Sequence, residues 1–233
     1  MDESEIAKQF IKKNKQLLYR KFINIGKLSS ITDLSAYFMA GSPGAGKTEW
    51  SKSFIKTLID KEPNRTIVRI DPDEIREFLP NYIPEQADIF QGATALGVEK
   101  ILDYVLKNNQ DFLLDGTFSN YEVSYKNVKR SLNKGRKVAV IYIYQDPLIA
   151  WDFTKKRAFI EKRIIPKQAF IRSFFKAHEN VTKIKKEFGN SIEIWLVKRN
   201  YHRKTEKVYL NIDKVDNCIK NNYNEETLEK LLL

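Results

Sequence analysis

The feature that most constrains this chain is an octapeptide, Gly41-Ser42-Pro43-Gly44-Ala45-Gly46-Lys47-Thr48, set between an apolar run and a helical pattern. It satisfies G-x-x-x-x-G-K-[ST] without a mismatch. The glycines let the backbone curl so that successive N–H groups point at phosphate oxygens. The helix that follows adds the partial positive charge of its N-terminus. Lys47 is placed to reach the β- and γ-phosphates, and the Thr48 hydroxyl to ligate Mg²⁺. The competing reading is a Gly-rich turn with a coincidental Gly-Lys-Thr, and the flanking strand and helix argue against it. The motif predicts binding of ATP or GTP, but does not by itself separate a kinase from a switch or a motor.

The pattern on either side predicts α/β architecture. A helix is expected over Ser4–Phe22, then a polar stretch Asn24–Asp33 and a strand at Ala36–Ala40. After the octapeptide a helix runs to about Ile59 and breaks at Lys61-Glu62-Pro63-Asn64. A strand at Thr66–Ile70 ends at Asp71, and helical pattern resumes from Ile75 and again over Ala87–Leu106. Phe112–Leu114 ends at Asp115-Gly116-Thr117, and a helix covers Glu122–Leu132. Lys137–Tyr144 is nearly all apolar, as expected of a strand inside a parallel sheet covered on both faces. Basic helical segments fill Leu148–Phe188. Strand-like runs at Ile192–Val197 and Val208–Ile212 precede an Asn-rich stretch and a helix over Glu225–Leu232. Strands alternating with helices predict a doubly wound, mainly parallel sheet. No internal repeat interrupts it, so one domain is expected over 1–233.

Composition sharpens the partner classes. The formal charge is +11, with Lys and Arg concentrated in the second half. Such a field attracts phosphorylated small molecules, nucleic acid or an acidic protein, although many lysines simply face solvent. Cys218 is the lone cysteine, which rules out an internal disulfide and a cysteine metal site. The opening MDESEIAKQF lacks the apolar segment of a signal peptide, and no run is long enough to span a bilayer. A cytoplasmic protein without a membrane partner is expected. His178 and His202 have no metal-ligand spacing, and Trp50, Trp151 and Trp195 read as core.

Ligands of open α/β sheets sit at the carboxyl ends of the strands, and two strand ends here carry acids. Asp71 reads as a helix N-cap with Pro72 at the first helical position and Glu74 closing a capping box. Asp73 is spare in that scheme. Its carboxylate could take a proton from an acceptor hydroxyl, or merely complement the helix dipole. Asp115 has the form of a Walker B acid, holding Mg²⁺ through water or touching the acceptor, or else a turn aspartate. Thr117 lines the same pocket or caps the next turn. Arg157 and Arg163 are six residues apart and converge only if the helix ends between them, which Ile165-Pro166 favours. A solvated basic helix is the alternative.

Four of these elements in order resemble the zeta toxins, the kinase half of bacterial toxin–antitoxin pairs. They are Gly41–Thr48, Val68-Arg69-Ile70-Asp71-Pro72-Asp73, Leu113-Leu114-Asp115-Gly116-Thr117 and Arg163-Ile164-Ile165-Pro166-Lys167. The resemblance covers roughly Tyr37 to Ile212, and places a core over 34–213 between an N-terminal helical extension (1–33) and a C-terminal tail helix (214–233). It implies a P-loop kinase fold that phosphorylates a sugar hydroxyl of a UDP-N-acetyl amino sugar, such as UDP-N-acetylglucosamine. It implies Lys47 and Thr48 on triphosphate and metal, Asp73 as general base, and Asp115 and Thr117 at the acceptor. Arg157 and Arg163 become the catalytic arginines, and an acidic antitoxin the expected partner. Two departures touch acceptor and lid: Asp115 stands where the family usually has Glu, and the segment from Arg157 to Arg163 is short. A nucleic-acid acceptor and a non-catalytic nucleotide-dependent binder are the alternatives.

Overall fold

The computed structural model describes residues 2–23, 33–200, 202, 204–220 and 222–232. The polar stretch read at 24–32 lies outside them. The chain opens with two helices, α1 (Glu3–Lys13) and α2 (Lys15–Phe22), where the sequence pattern suggested one. The break falls at Asn14, whose side-chain amide and backbone N–H both bond to the Phe10 carbonyl and close the first helix. Strand β1 (Ser35–Ala40) is buried at every position and feeds the octapeptide, after which α3 (Lys47–Lys61) begins. Then follow β2 (Ile67–Ile70), α4 (Pro72–Glu77), a 3₁₀ turn at Pro84–Gln86, and α5 (Gln91–Lys107).

The second half continues with β3 (Asp111–Leu114), α6 (Tyr121–Leu132), β4 (Lys137–Tyr144), α7 (Pro147–Glu161) and α8 (Lys167–Phe188). Strands β5 (Ile192–Arg199) and β6 (Thr205–Tyr209) and helix α9 (Glu225–Leu231) complete the described elements. The last strand lies about three residues earlier than its apolar pattern suggested. Its register to β5 is antiparallel, and Val208 and Leu210 stay exposed on this edge.

The six strands form one sheet in the order β2-β3-β1-β4-β5-β6, parallel except for β6. Order reverses around β1, so the loop after β1 sits where the two halves of the sheet diverge. One face is covered by α3 through Trp50, Phe54 and Ile55. The other carries the larger core, to which α5, α6 and α8 contribute Ile101, Val128 and Val181. Helices α1 and α2 join that core rather than standing apart. Ala7, Ile11 and Leu18 are fully buried, and Phe10 and Phe22 pack against Phe78. Burying Ile11 and Leu18 contributes about 1.5–3 kcal/mol each. Gly97 of α5 lets α4 come close, because a Cβ there would lie 2.7 Å from the Ile75 side chain, and it leaves ordinary contact distance, 3.5 Å, to Ile11 of α1.

At the amino ends of the strands a buried ion pair ties the sheet. Arg65 donates to Asp111 at 2.7 Å and to the Ser35 hydroxyl at 2.9 Å, and Asp111 accepts the Ser35 N–H. Arg136 stacks over Phe112 and donates to the carbonyls of Gln110 and Val105. No helix among the described residues is long and apolar enough to cross a membrane.

Candidate active site

The octapeptide forms a loop over the carboxyl end of β1. Gly41, Gly44 and Gly46 all have positive φ, and at two of them the fold leaves no alternative. A Cβ on Gly41 would lie 2.4 Å from the Ile143 carbonyl, and one on Gly44 would lie 2.0 Å from the Ala150 carbonyl of α7. The Gly41 N–H bonds to the Thr117 carbonyl at 3.1 Å. Thr117 therefore supports the loop through its backbone. Its hydroxyl pairs with Ser119, and the next helix is capped by Asn120 instead. Lys47 folds back so that its ammonium donates to the carbonyls of Gly41 and Ser42 at 2.9 and 2.7 Å. Burial pushes its pKa down to about 8, against the pull of Asp115 and Asp73.

Helix α4 starts as expected, with Asp71 capping the Asp73 N–H at 2.8 Å and Pro72 at the first position. The expected capping box does not form. Glu74 turns to Arg69, which holds it at 2.7 Å, because a guanidinium is a stronger partner than the cap's own N–H. Asp73 faces three guanidiniums. Arg76 and Arg163 each reach its Oδ1 at 2.6 Å, and Arg157 its Oδ2 at 3.4 Å. Burial works against the charge on Asp73, but Arg163 and Arg76, with help from Arg157, outweigh it and hold the carboxyl below its ordinary range.

The two arginines converge because α7 stops at Glu161. Lys162 takes a left-handed conformation, and a non-helical segment carries Arg163 back toward Asp73. Arg157 also holds Glu161 at 2.7 Å. Together Asp73, Arg76, Tyr82, Arg157 and Arg163 line a cavity of about 330 Å³. On the outer side of this tip Phe159, Ile160 and Ile164 are exposed, Phe159 to 90%. Lys167 points elsewhere, bonding to the carbonyls of Glu229 and Leu232 and so tying α9 to α8.

Asp115 is the residue whose surroundings the sequence did not foretell. Its Oδ2 accepts from Arg69 at 2.6 Å and from the Ser51 hydroxyl at 2.9 Å. Among the described residues no cluster of three or more His, Cys, Asp or Glu side chains could hold a metal ion. A P-loop site needs none, since Mg²⁺ keeps waters and phosphate oxygens and takes only one or two protein oxygens. The Thr48 hydroxyl and Asp115 Oδ1 are hard donors of that kind. Arg69 and Arg76 were both missed in the sequence. Their signal was slight: a charged residue inside an otherwise apolar strand, and a basic residue one turn beyond Asp73.

A glycine-rich phosphate loop at the switch point of a parallel sheet, with an arginine-lined cavity beside it, defines a P-loop kinase-type protein. The chain belongs to the zeta toxin family, whose sequence pattern matches residues 29–214. Among solved structures it is similar to one from the PezAT chromosomal toxin–antitoxin system of the human pathogen Streptococcus pneumoniae. The identity there is 19% and the TM-score 0.64, over 98% of this chain and 87% of that one. It is similar also to the AvrRxo1-ORF1:-ORF2 complex, at 15% identity and TM-score 0.66, over 94% of this chain and 71% of that one. The same complex with ATP matches at 12% identity and TM-score 0.58, over 88% and 65%. At such identities the likeness is one of fold. No curated protein compared by sequence matches.

Proposed function

We propose that this chain is a kinase that transfers the γ-phosphate of ATP or GTP to a sugar hydroxyl of a UDP-N-acetyl amino sugar. The observation that carries the reading is Asp73, a carboxylate ringed by Arg76, Arg157 and Arg163 at one cavity beside the phosphate loop. Asp73 takes the proton of the acceptor hydroxyl as that oxygen attacks the γ-phosphorus. The bond from phosphorus to the β–γ bridging oxygen breaks, and the nucleoside diphosphate leaves. Held below its ordinary pKa, Asp73 is ionised but weakly basic. Its basicity rises when the transferring phosphoryl group draws Arg157 and Arg163 onto its own oxygens.

Lys47 leaves the loop carbonyls for the β- and γ-phosphates as the nucleotide enters. Thr48 would hold Mg²⁺ directly and Asp115 through water, and the ion would neutralise charge on the phosphates. A partner protein is part of the reading too. The solved structures of similar fold include a toxin–antitoxin system and a two-protein complex, and the charge of +11 suits an acidic antitoxin.

The test is transfer of label from ATP and GTP to a panel of UDP-sugars, with oligonucleotides as comparison acceptors and Lys47→Ala as control. Labelled UDP-N-acetylglucosamine, absent with the variant, is the expected result. Label on oligonucleotides alone, or hydrolysis with no acceptor, would overturn the assignment of substrate.

A further inference from the structure

Arg69 lies on β2 between two core residues, Val68 and Ile70, where a strand of this sheet needs no charge. Every nitrogen of its guanidinium is used, and the partners come from three different elements. Nε donates to Ser51 of α3 at 3.1 Å. Nη1 donates to Glu74 of α4 at 2.7 Å. Nη2 is shared between Asp71, the cap of α4, at 2.5 Å and Asp115, at the end of β3, at 2.6 Å. The contacts continue beyond the guanidinium. Ser51 sits one turn after Thr48 and touches its carbonyl as well as Asp115. Asp71 spends its other oxygen on the backbone N–H of Asp73.

We infer that Arg69 is a positioning residue: it bridges Asp71 and Asp115 and so fixes helix α4, and with it Asp73, relative to the phosphate-loop helix α3. Arg69 does not line the cavity at Asp73, so it acts through its neighbours. A flat guanidinium with five donors can hold four acceptors in fixed directions, whereas a lysine ammonium carries the same charge without that geometry. Simple charge balance would be met by one carboxylate, as at Arg65 and Asp111. Three carboxylates on one guanidinium serve geometry as well.

The kinetic part of this inference rests on the kinase reading, so the deciding measurement is one that does not. Hydrogen exchange of the α4 amides is compared with that of α3 in wild type, Arg69→Lys and Asp115→Asn. Arg69→Lys is expected to keep its circular dichroism and to bind nucleotide within about threefold of wild type. Its α4 amides should exchange about tenfold faster or more while those of α3 are unchanged. In the transfer assay kcat should fall about tenfold or more, with the acceptor KM within about threefold.

Wild-type exchange in α4 of Arg69→Lys, or acceleration spread evenly over the sheet, overturns the inference. If Arg69→Lys does not fold, Asp115→Asn decides by the same comparison, since it takes the charge off one arm of the bridge and leaves the guanidinium. If the wild type labels no acceptor at all, the exchange result still stands or falls alone. That failure belongs to the kinase assignment.

Discussion

The sheet is tied at both ends by an arginine, an aspartate and a serine, and the two knots differ in balance. At the amino ends Arg65 meets Asp111 and Ser35, with exposed Glu62 at the rim. At the carboxyl ends Arg69 meets Asp71, Asp115 and Glu74 beside Ser51. The first knot is one buried charge against another. The second carries an excess of carboxylate next to the partly buried ammonium of Lys47. Burial, together with the neighbouring carboxylates Asp115 and Asp73, also pushes Asp71 up, and Arg69 only partly offsets this. A closed pair can do no more than hold strands together. The surplus of carboxylate at the second is met from outside the knot, by Lys47 among others.

The comparison breaks if the two ends respond alike to substitution. Asp73→Asn should lower kcat for phosphate transfer about 10²–10⁴-fold, while its thermal midpoint moves less than half as far as that of Asp111→Ala. Asp111→Ala should do the reverse. It strands the buried Arg65 charge and costs about 3–5 kcal/mol, read as a fall in thermal midpoint of about 10 °C, with kcat unchanged. A loss of kcat in Asp111→Ala beyond about threefold would erase the distinction.

Smaller effects sharpen it. Lys47 is depressed to about 8, so nucleotide affinity should fall above about pH 8, by up to tenfold per pH unit, in titrations at fixed ionic strength. Between that pH and the ordinary lysine value of 10.5, the unfolded chain binds more protons than the folded one. Stability therefore gains from Lys47 as pH rises through this window. The acid limb of kcat/KM should lie below the ordinary aspartate value of 3.8, because the guanidiniums hold Asp73 ionised. At the far end of the scale, Phe159→Ala on the exposed tip should shift stability by less than about 0.5 kcal/mol, seen as an unchanged thermal midpoint.

Much of the ligand end was legible because its residues follow local rules. The octapeptide announces its own backbone shape, Asp71-Pro72 announces a helix start, and Ile165-Pro166 announces the stop that lets Arg157 and Arg163 meet. Arg69, Arg76 and Ser51 obey no such rule. Arg69 meets Asp115 only because β2 and β3 pair with Ile70 opposite Leu114, and a register of that kind is a property of the assembled sheet. Glu74 shows the same limit from the other side. It satisfied the local pattern of a capping box, and a partner five residues back in the chain displaced it. The break at Asn14 was hidden because apolar spacing continues across it while the backbone does not.

Gly44 has a consequence of its own. Its Cα rests against the Ala150 carbonyl with no room for a methyl group between them, so the back of the phosphate loop is also the seat of α7. One surface of the loop is shaped for an anion and the reverse surface bears a helix. Even alanine at this position would act as a wedge, tilting the shaft on which Arg157 is mounted while leaving every phosphate-facing N–H in the sequence. A kinetic defect in such a variant would then register on the far side of the reaction from the mutated loop.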